Sequence, residues 1–417
     1  MKTKNNCIIG QSGGPTTAIN ASLSGIIEEV LSSNLYHTIY GMVNGIEGLL
    51  QGKYLDLSSL FDTKEKRDKL TTTPSMFLGS CRFKLPTCED SESIYTSLFD
   101  FFEENHITTV FYIGGNDSMD TVLKLSSYAK AHDKAVNIIG IPKTIDNDLP
   151  ITDHTPGFGS AAKFIATALL EVSHDAYIYN IPSVTIVEIM GRNAGWLTAA
   201  SALARTSYSP APDLIYLPEV PFNTDRFIED VKRLRKIRKN IIIAVSEGIK
   251  DTNGHYISAC SPVIDAFGHK QLCGASKTLE NLLKPVLDCK TRSIELNVLQ
   301  RSASHLSSAT DLSEAVLIGK KAAAFGAAGE TAKMVGYKRV SNTPYTIDII
   351  LADVAQIANH EKKVPLHYIS EHHNDITPEF IAYLRPLIQG EPQLVYENGV
   401  PVYCDIAHLH KKGYFHL

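Results

Sequence analysis

The chain has 417 residues, of which 44% are hydrophobic and 20% charged, and its formal net charge is −5. This is a globular composition with length enough for two domains, and the acidic balance excludes a general nucleic-acid binder, which needs a basic field to meet a phosphate backbone. Seven cysteines, odd in number and without a CxxC pair, exclude a disulfide framework and a zinc ribbon. No apolar stretch approaches the length that spans a bilayer, and the strand-like run after the polar residues 1–6 is too short to be expected as a signal-peptide core. No membrane partner is therefore expected, and a cytoplasmic location is.

In chain order, Cys7 to Ile9 reads as a buried strand, Gly10 to Pro15 as the turn after it, and Ala18 to Leu31 as a helix with apolar residues at helical spacing. Gly13 and Gly14 would let backbone N–H groups approach a phosphate at the helix N-terminus. A purely structural turn reads the same way, and no Gly-Lys-Ser/Thr follows to make it a Walker loop. Gly79 to Phe83 then puts Arg82 on a small-residue loop, either as a phosphate clamp or as an ordinary surface arginine.

A second β-branched run, Val110 to Ile113, leads through Gly114-Gly115-Asn116-Asp117-Ser118 into a helix over 119–131. The two glycines allow close backbone approach, and Asn116 can offer a carbonyl oxygen to Mg²⁺. Asp117 is the odd member, because a carboxylate in a phosphate cradle repels the ligand. A capped helix start is the alternative. Val136 to Ile141 is a third strand, followed by Pro142-Lys143-Thr144-Ile145-Asp146-Asn147-Asp148. Here Asp146 can accept a proton from a hydroxyl attacking phosphorus, and Lys143 can neutralise the transferring group. The competing reading is a turn closed by a Lys–Asp pair.

Further along, Val184 to Ile189 leads through Met190-Gly191-Arg192 into a helix over 194–204, and Ile241 to Val245 leads into Ser246-Glu247-Gly248. Both loops carry groups that can hydrogen-bond sugar hydroxyls. Lys232 to Lys239, the one basic run, reads as a solvated helix face. Arg292 and Arg301 bracket the apolar run Ile294 to Leu299, and each can hold a substrate phosphate. None of the 15 histidines forms a metal-binding helix pattern, and His372, His373, His408 and His410 read as surface residues.

The alternation of strand, loop and helix predicts an α/β protein with parallel sheets covered by helices, and ligands beyond the carboxyl ends of the strands. Changes of region are expected near 149–160 and 300–312. Residues 1–150, rejoined by a segment after about 300, would form a first, donor-binding α/β domain, and 151–300 a second that binds the sugar phosphate. Residues 340–417 would be a C-terminal extension packing on the body or on a neighbouring subunit.

These motifs, in this order, resemble the phosphofructokinase family over most of residues 7–335. The resemblance implies two Rossmann-like, doubly wound domains with the active site in the cleft between them, and Mg²⁺-dependent phosphoryl transfer to the 1-hydroxyl of fructose 6-phosphate. ATP-using members usually carry Gly-Gly-Asp-Gly-Ser at 114–118 and glycine in place of Lys143. Pyrophosphate-using members carry an aspartate like Asp117 and a lysine like Lys143, so the resemblance is closest to the bacterial pyrophosphate-dependent phosphotransferases. A carboxylate at Asp117 would stand where the α-phosphate of ATP must lie. Two unit charges 4 Å apart repel by roughly 4 kcal/mol at an effective dielectric of about 20.

By the same resemblance, Asp146 is the base and Thr144 lies beside the transferring phosphoryl. Gly13, Gly14, Arg82 and Gly115 meet pyrophosphate together with Asp117 and Lys143, and Asn116 stands where the family places a metal-binding aspartate. Ile145, Met190, Gly191, Arg192 and Glu247 meet the sugar. Arg292, Arg301 and the position of Val298 meet its 6-phosphate, one arginine coming from a neighbouring subunit, and homodimers or homotetramers are implied. Three positions depart from the pattern: Asn116 replaces the aspartate, Val298 a histidine or tyrosine, and Ser183 a subunit-bridging arginine. The competing functions are an ATP-dependent 6-phosphofructokinase, a sedoheptulose 7-phosphate kinase, and a non-catalytic regulatory subunit. The last would be expected to have lost Asp146 or Lys143, and both are present.

Overall fold

The computed structural model describes residues 5–258 and 274–409; Cys260, Cys273 and His410 fall outside them. Eleven strands form two sheets. In chain order they are β1 (Asn6–Gln11), β2 (Ile39–Met42), β3 (Tyr54–Asp56), β4 (Ile107–Gly114), β5 (Asn137–Pro142), β6 (Ser183–Ile189), β7 (Leu214–Tyr216), β8 (Asn240–Ser246), β9 (Lys290–Glu295), β10 (Lys333–Asn342) and β11 (Tyr345–Asp353). The seven-stranded sheet runs β11-β10-β5-β4-β1-β2-β3, and the four-stranded sheet runs β7-β8-β6-β9. Pairing is parallel except at the two outer hairpins, β10 with β11 and β2 with β3.

The β-branched runs become strands because both faces are covered by helices, which favours continuous apolar sequence over alternation. Every residue of β1, β6 and β8 is buried. Strand order reverses at β1, which has β2 on one side and β4 on the other. The crevice at such a reversal is where ligands bind in open α/β sheets, and the loops after β1 and β4 open there. The chain passes from the first sheet to the second through residues 149–157, into the helix Phe158–Tyr177. It returns through the segment before the helix Ala309–Ala327.

That returning helix packs on Ile19–Ser33 backbone to backbone. A Cβ on Gly25 would stand 2.1 Å from the carbonyl oxygen of Val316, and one on Gly319 would stand 2.2 Å from that of Ser22.

Two local expectations change. The helix expected over 194–204 begins at Trp196 and tightens to 3₁₀ at Ser201–Ala204, where the Ser201 hydroxyl donates back to the Thr198 carbonyl at 2.5 Å. The basic run is helical only as far as Arg235, in the last turn of Thr224–Arg235. The region after 340 starts inside the large sheet, as the end of β10 and all of β11. It then crosses from one core to the other: Val354 and Ile357 pack beside the first sheet, and Val364, Ile369, Phe380 and Leu384 beside the second. Among the described residues no helix is long and apolar enough to cross a membrane.

Candidate active site

Three loops of the first sheet meet around one ammonium group. Lys143, at the end of β5, is 3% exposed. Its Nζ donates to the carbonyl of Gly14 at 2.6 Å, and it lies 3.0 Å from where a Cβ on Gly13 would stand. Gly13 is at φ +85°, so a side chain there would be strained as well as crowded. The Lys143 backbone N–H donates to the Gly114 carbonyl at 2.9 Å. The Ser12 and Ser118 hydroxyls meet at 2.5 Å, which joins the first loop to the second. A side chain at Gly114 would collide with Ser118, whose Oγ lies 1.8 Å from the ideal Cβ position. The Ser80 hydroxyl, from the loop that carries Arg82, donates to the Gly13 carbonyl at 2.7 Å.

A cavity of about 160 Å³ opens over these loops. Gly13, Gly14, Gly115, Asn116, Asp117, Lys143, Thr144, Ile145 and Asp146 line it from the first-sheet side, and Met190 and Arg301 close it. Arg301 Nη1 lies 3.2 Å from the ideal Cβ position of Gly14. Gly191 and Glu247 stand just behind, the Gly191 N–H donating to Glu247 Oε1 at 3.2 Å. Arg192 adjoins them, and its charge favours the ionised forms of both Asp146 and Glu247. Larger hollows exist, including one of about 980 Å³ between the helices Lys64–Thr72 and Ala309–Ala327, but its lining contains none of these residues.

The electrostatics are those of charges crowded out of water. Burial pulls the Lys143 ammonium down to about 8, against Asp146, Asp148 and Asp117, which favour its charge. The Asp146 carboxyl is raised, by burial first and by Glu247 next, with Lys143, Arg301 and Arg192 opposing. Asp148 is raised for the same first reason and then by Asp146. Burial pushes Glu247 up to about 7, and burial also lowers Arg301. A carboxylate facing a cavity with a raised pKa is a candidate base.

Not every expected residue converges. Arg292 sits in the middle of β9, opposite Thr185 in β6, and its guanidinium faces Asp175 at 3.4 Å, well short of the strand ends. Val298 is 49% exposed, at the start of the short helix Leu299–Ser302, and does not line the cavity. Arg82 is exposed and does not line the cavity, though it is near enough to Arg301 to lower its pKa. Asn116 lines the cavity, but its amide is held on both sides: Oδ1 accepts the Asn359 N–H at 2.6 Å, and Nδ2 donates to the His360 carbonyl at 2.5 Å.

Two features lacked a role in the sequence reading. Asp148 lines the same cavity; its place in the Asp146 loop was the available signal. The segment 359–364 borders the site from more than two hundred residues away, and nothing local in its sequence marks it.

Residues 6–326 match the family described as Phosphofructokinase. The chain is 39% identical over 407 residues to the pyrophosphate–fructose 6-phosphate 1-phosphotransferase of Halomonas elongata, covering 97% of this chain and 96% of that protein. It is 37% identical to the enzyme of the same name from Xanthomonas campestris pv. campestris, covering 98% of this chain and 97% of that one. Among solved structures, a pyrophosphate-dependent phosphofructokinase from Nitrosospira multiformis is similar with a TM-score of 0.87 and 35% identity, covering 96% of each chain.

Proposed function

The chain belongs to the phosphofructokinase family, and from that premise we propose that it transfers a phosphoryl group from pyrophosphate to the 1-hydroxyl of fructose 6-phosphate. The products are fructose 1,6-bisphosphate and phosphate, and the reaction is readily reversible because the donor anhydride has modest transfer potential. The observation that carries this reading is the buried Lys143 ammonium, seated between the Gly13–Gly14 loop and Asp146 beside a cavity of about 160 Å³. That volume is small against the roughly 300–1,000 Å³ of ordinary ligand pockets, and it suits the compact donor.

In this reading Asp146 takes the proton of the 1-hydroxyl as its oxygen bonds to phosphorus and the bond to the departing phosphate breaks. Lys143 meets the charge on the transferring group, with Thr144 beside it. Gly13, Gly14, Gly115 and Arg82 hold the diphosphate, and Asp117 repels anything longer. Ile145, Met190, Gly191, Arg192 and Glu247 orient the sugar, and Arg301 takes its 6-phosphate. Val298 offers that phosphate no hydrogen bond. Arg292 can reach it only on a neighbouring copy, which is the reason to expect a homodimer or homotetramer.

Asp117, Asp146 and Asp148 give the cavity oxygen donors of the hard kind Mg²⁺ takes, one or two carboxylates completed by substrate phosphates. Among the described residues no cluster of three or more His, Cys, Asp or Glu forms a cage of its own. With the Asn116 amide engaged by residues 359 and 360, we assign the metal contact chiefly to Asp148, with Asn116 beside it. When bound, Mg²⁺ supplies charge neutralisation across the diphosphate oxygens. We place the enzyme in the cytoplasm.

The test is fructose 1,6-bisphosphate formation with Mg²⁺, supplying pyrophosphate and ATP in parallel. Turnover with pyrophosphate alone is expected, and Asp146→Ala should cut it at least about a hundredfold, the range of a lost general base, with substrate affinity little changed. Turnover with ATP alone would overturn the donor assignment, and near-normal turnover of the variant would overturn the base.

A further inference from the structure

Residues 359–364 form a strap beside the site, tied to Asn116, to the Asn147–Asp148 turn, and to Asn193 and Glu219 on the side of the second sheet. Asn359 and His360 hold the Asn116 amide, and the Asn359 side chain donates to Asp120 Oδ1 at 3.1 Å, one turn further along the same helix. Asn193, just after the Met190–Arg192 loop, donates to Glu361 Oε1 at 2.9 Å. The Val364 N–H donates to Glu219 Oε1 at 3.0 Å, and that same oxygen accepts the Gly195 N–H at 2.8 Å.

At the centre is Lys362. Its backbone N–H donates to the Asp148 carbonyl at 2.6 Å, and its own carbonyl accepts the indole N–H of Trp196 at 3.0 Å. The side chain turns inward. Its Nζ donates to Asn147 Oδ1 at 3.1 Å and to the carbonyls of Thr152 and Asp153, both at 2.9 Å. The ammonium also lies 5.1 Å from the centroid of the Trp196 ring. All three of its hydrogens are thus used, by acceptors that belong to the Asp146–Asp148 loop and to the segment leading into the second sheet.

We propose that Lys362 is a positioning residue for phosphoryl transfer: it fixes the Asn147–Asp148 turn, and through it the direction of the Asp146 carboxylate, against the loops of both sheets. The inference rests on the catalytic reading of Asp146 given above. The need is local. Asn147 is held at φ +53°, a left-handed conformation that a non-glycine residue keeps only when its surroundings determine it. Lys362 supplies both ties, a side-chain bond to Asn147 and a backbone bond to Asp148. A carboxylate displaced by about 1 Å from its acceptor hydroxyl can lose on the order of a hundredfold in rate with binding intact.

The test uses the full-length protein in two variants. Lys362→Met keeps the length of the stem and removes the three donors. Asn147→Gly keeps the left-handed backbone accessible and removes the side-chain acceptor. Each is measured for kcat with pyrophosphate and fructose 6-phosphate, for the Kd of each substrate by calorimetry, and for Tm. The expected result is a fall in kcat of at least tenfold in both variants, with each Kd within threefold of wild type and kcat per folded molecule still low well below Tm. Lys362→Arg, which returns a cation and its donors, should recover part of the rate lost by Lys362→Met. If Lys362→Met does not fold, Asn147→Gly alone decides. Wild-type kcat in the folded variants, or a loss confined to Tm, would overturn the positioning role. Should wild type itself be inactive with pyrophosphate while binding both substrates, the catalytic reading fails instead, which this measurement separates from failure of the Lys362 assignment.

Discussion

At the scale of single residues, the site works by holding charges where water does not solvate them. Asp146 must be ionised to act as a base, and its pKa is raised to about 6 by burial first and Glu247 next. Activity should therefore fall as pH drops through that value. Lys143 must be protonated to meet the phosphoryl charge, and burial brings it down to about 8, so activity should fall again as pH rises past it. A bell-shaped kcat/KM profile for the free enzyme is the expected outcome. Glu247→Gln removes the like charge that raises Asp146 after burial and should move the acid limb to lower pH; an unmoved limb would separate the two carboxylates. Donor choice belongs to the same scale. Asp117→Gly removes the carboxylate from the cradle and should erode the preference for pyrophosphate over ATP by one to three powers of ten, about what roughly 4 kcal/mol of repulsion can enforce at most.

At the scale of elements, the contact between the helices Ile19–Ser33 and Ala309–Ala327 is set by what is missing from two positions. Gly25 and Gly319 face the partner's backbone carbonyls within 2.1 and 2.2 Å of where a Cβ would be. Backbone in the middle of a helix cannot yield as a flexible side chain can. Gly25→Ala and Gly319→Ala should each destabilise by about 2–3 kcal/mol, the upper part of the usual range for overpacking, read as a lowered denaturant midpoint. The helix Ile19–Ser33 follows the Gly13–Gly14 loop, so loss of pyrophosphate affinity should accompany loss of stability. A neutral alanine at either position would show that the helices can separate without cost.

At the scale of the whole molecule, the two passages between the sheets are bolted together by buried charge. Asp311 accepts the N–H groups of Gly157 and Ser160 at 2.9 and 3.0 Å. His154 lies stacked on Tyr337, with Nδ1 at 2.8 Å from Asp153 and Nε2 at 2.8 Å from Glu314. Arg339 is the other cation on Asp153. Burial alone would lower His154, but the bonds from the two carboxylates outweigh it and raise the ring above 6.5. A group that holds its proton more tightly when folded stabilises fully below its unfolded value and loses that contribution as pH rises through the folded value. Tm should therefore decline as pH climbs from 6 through that raised value, and His154→Gln should flatten the decline. Assembly can be tested by mixing. If Arg292 serves the neighbouring site, Asp146→Ala and Arg292→Ala subunits, each inactive alone, should recover roughly a quarter of wild-type activity when exchanged in a two-fold dimer, since half the dimers are hybrids with one intact site. No recovery on exchange would return Arg292 to a structural role beside Asp175.

The sequence by itself determined five of the strands, β1, β4, β5, β6 and β8, and the polar loops that follow them. Val110 to Ile113 and Ile138 to Ile141 are buried on both faces, so their apolar runs are self-announcing, and Gly13, Lys143 and Asp146 lie within a few residues of a strand end, where local spacing suffices to bring them to one crevice. Only the tertiary structure decided what comes from afar. Lys362 bonds to Asn147 across 215 positions, and Asn359 and His360 engage the Asn116 amide across 243 and 244. Arg292 shares a motif with Arg301, yet in a strand each residue advances the chain by about 3.3 Å, and that advance leaves Arg292 in mid-strand while Arg301 lies beyond the strand's carboxyl end, at the cavity. Contacts of this kind depend on how the sheets pack and cross, which no window of sequence contains.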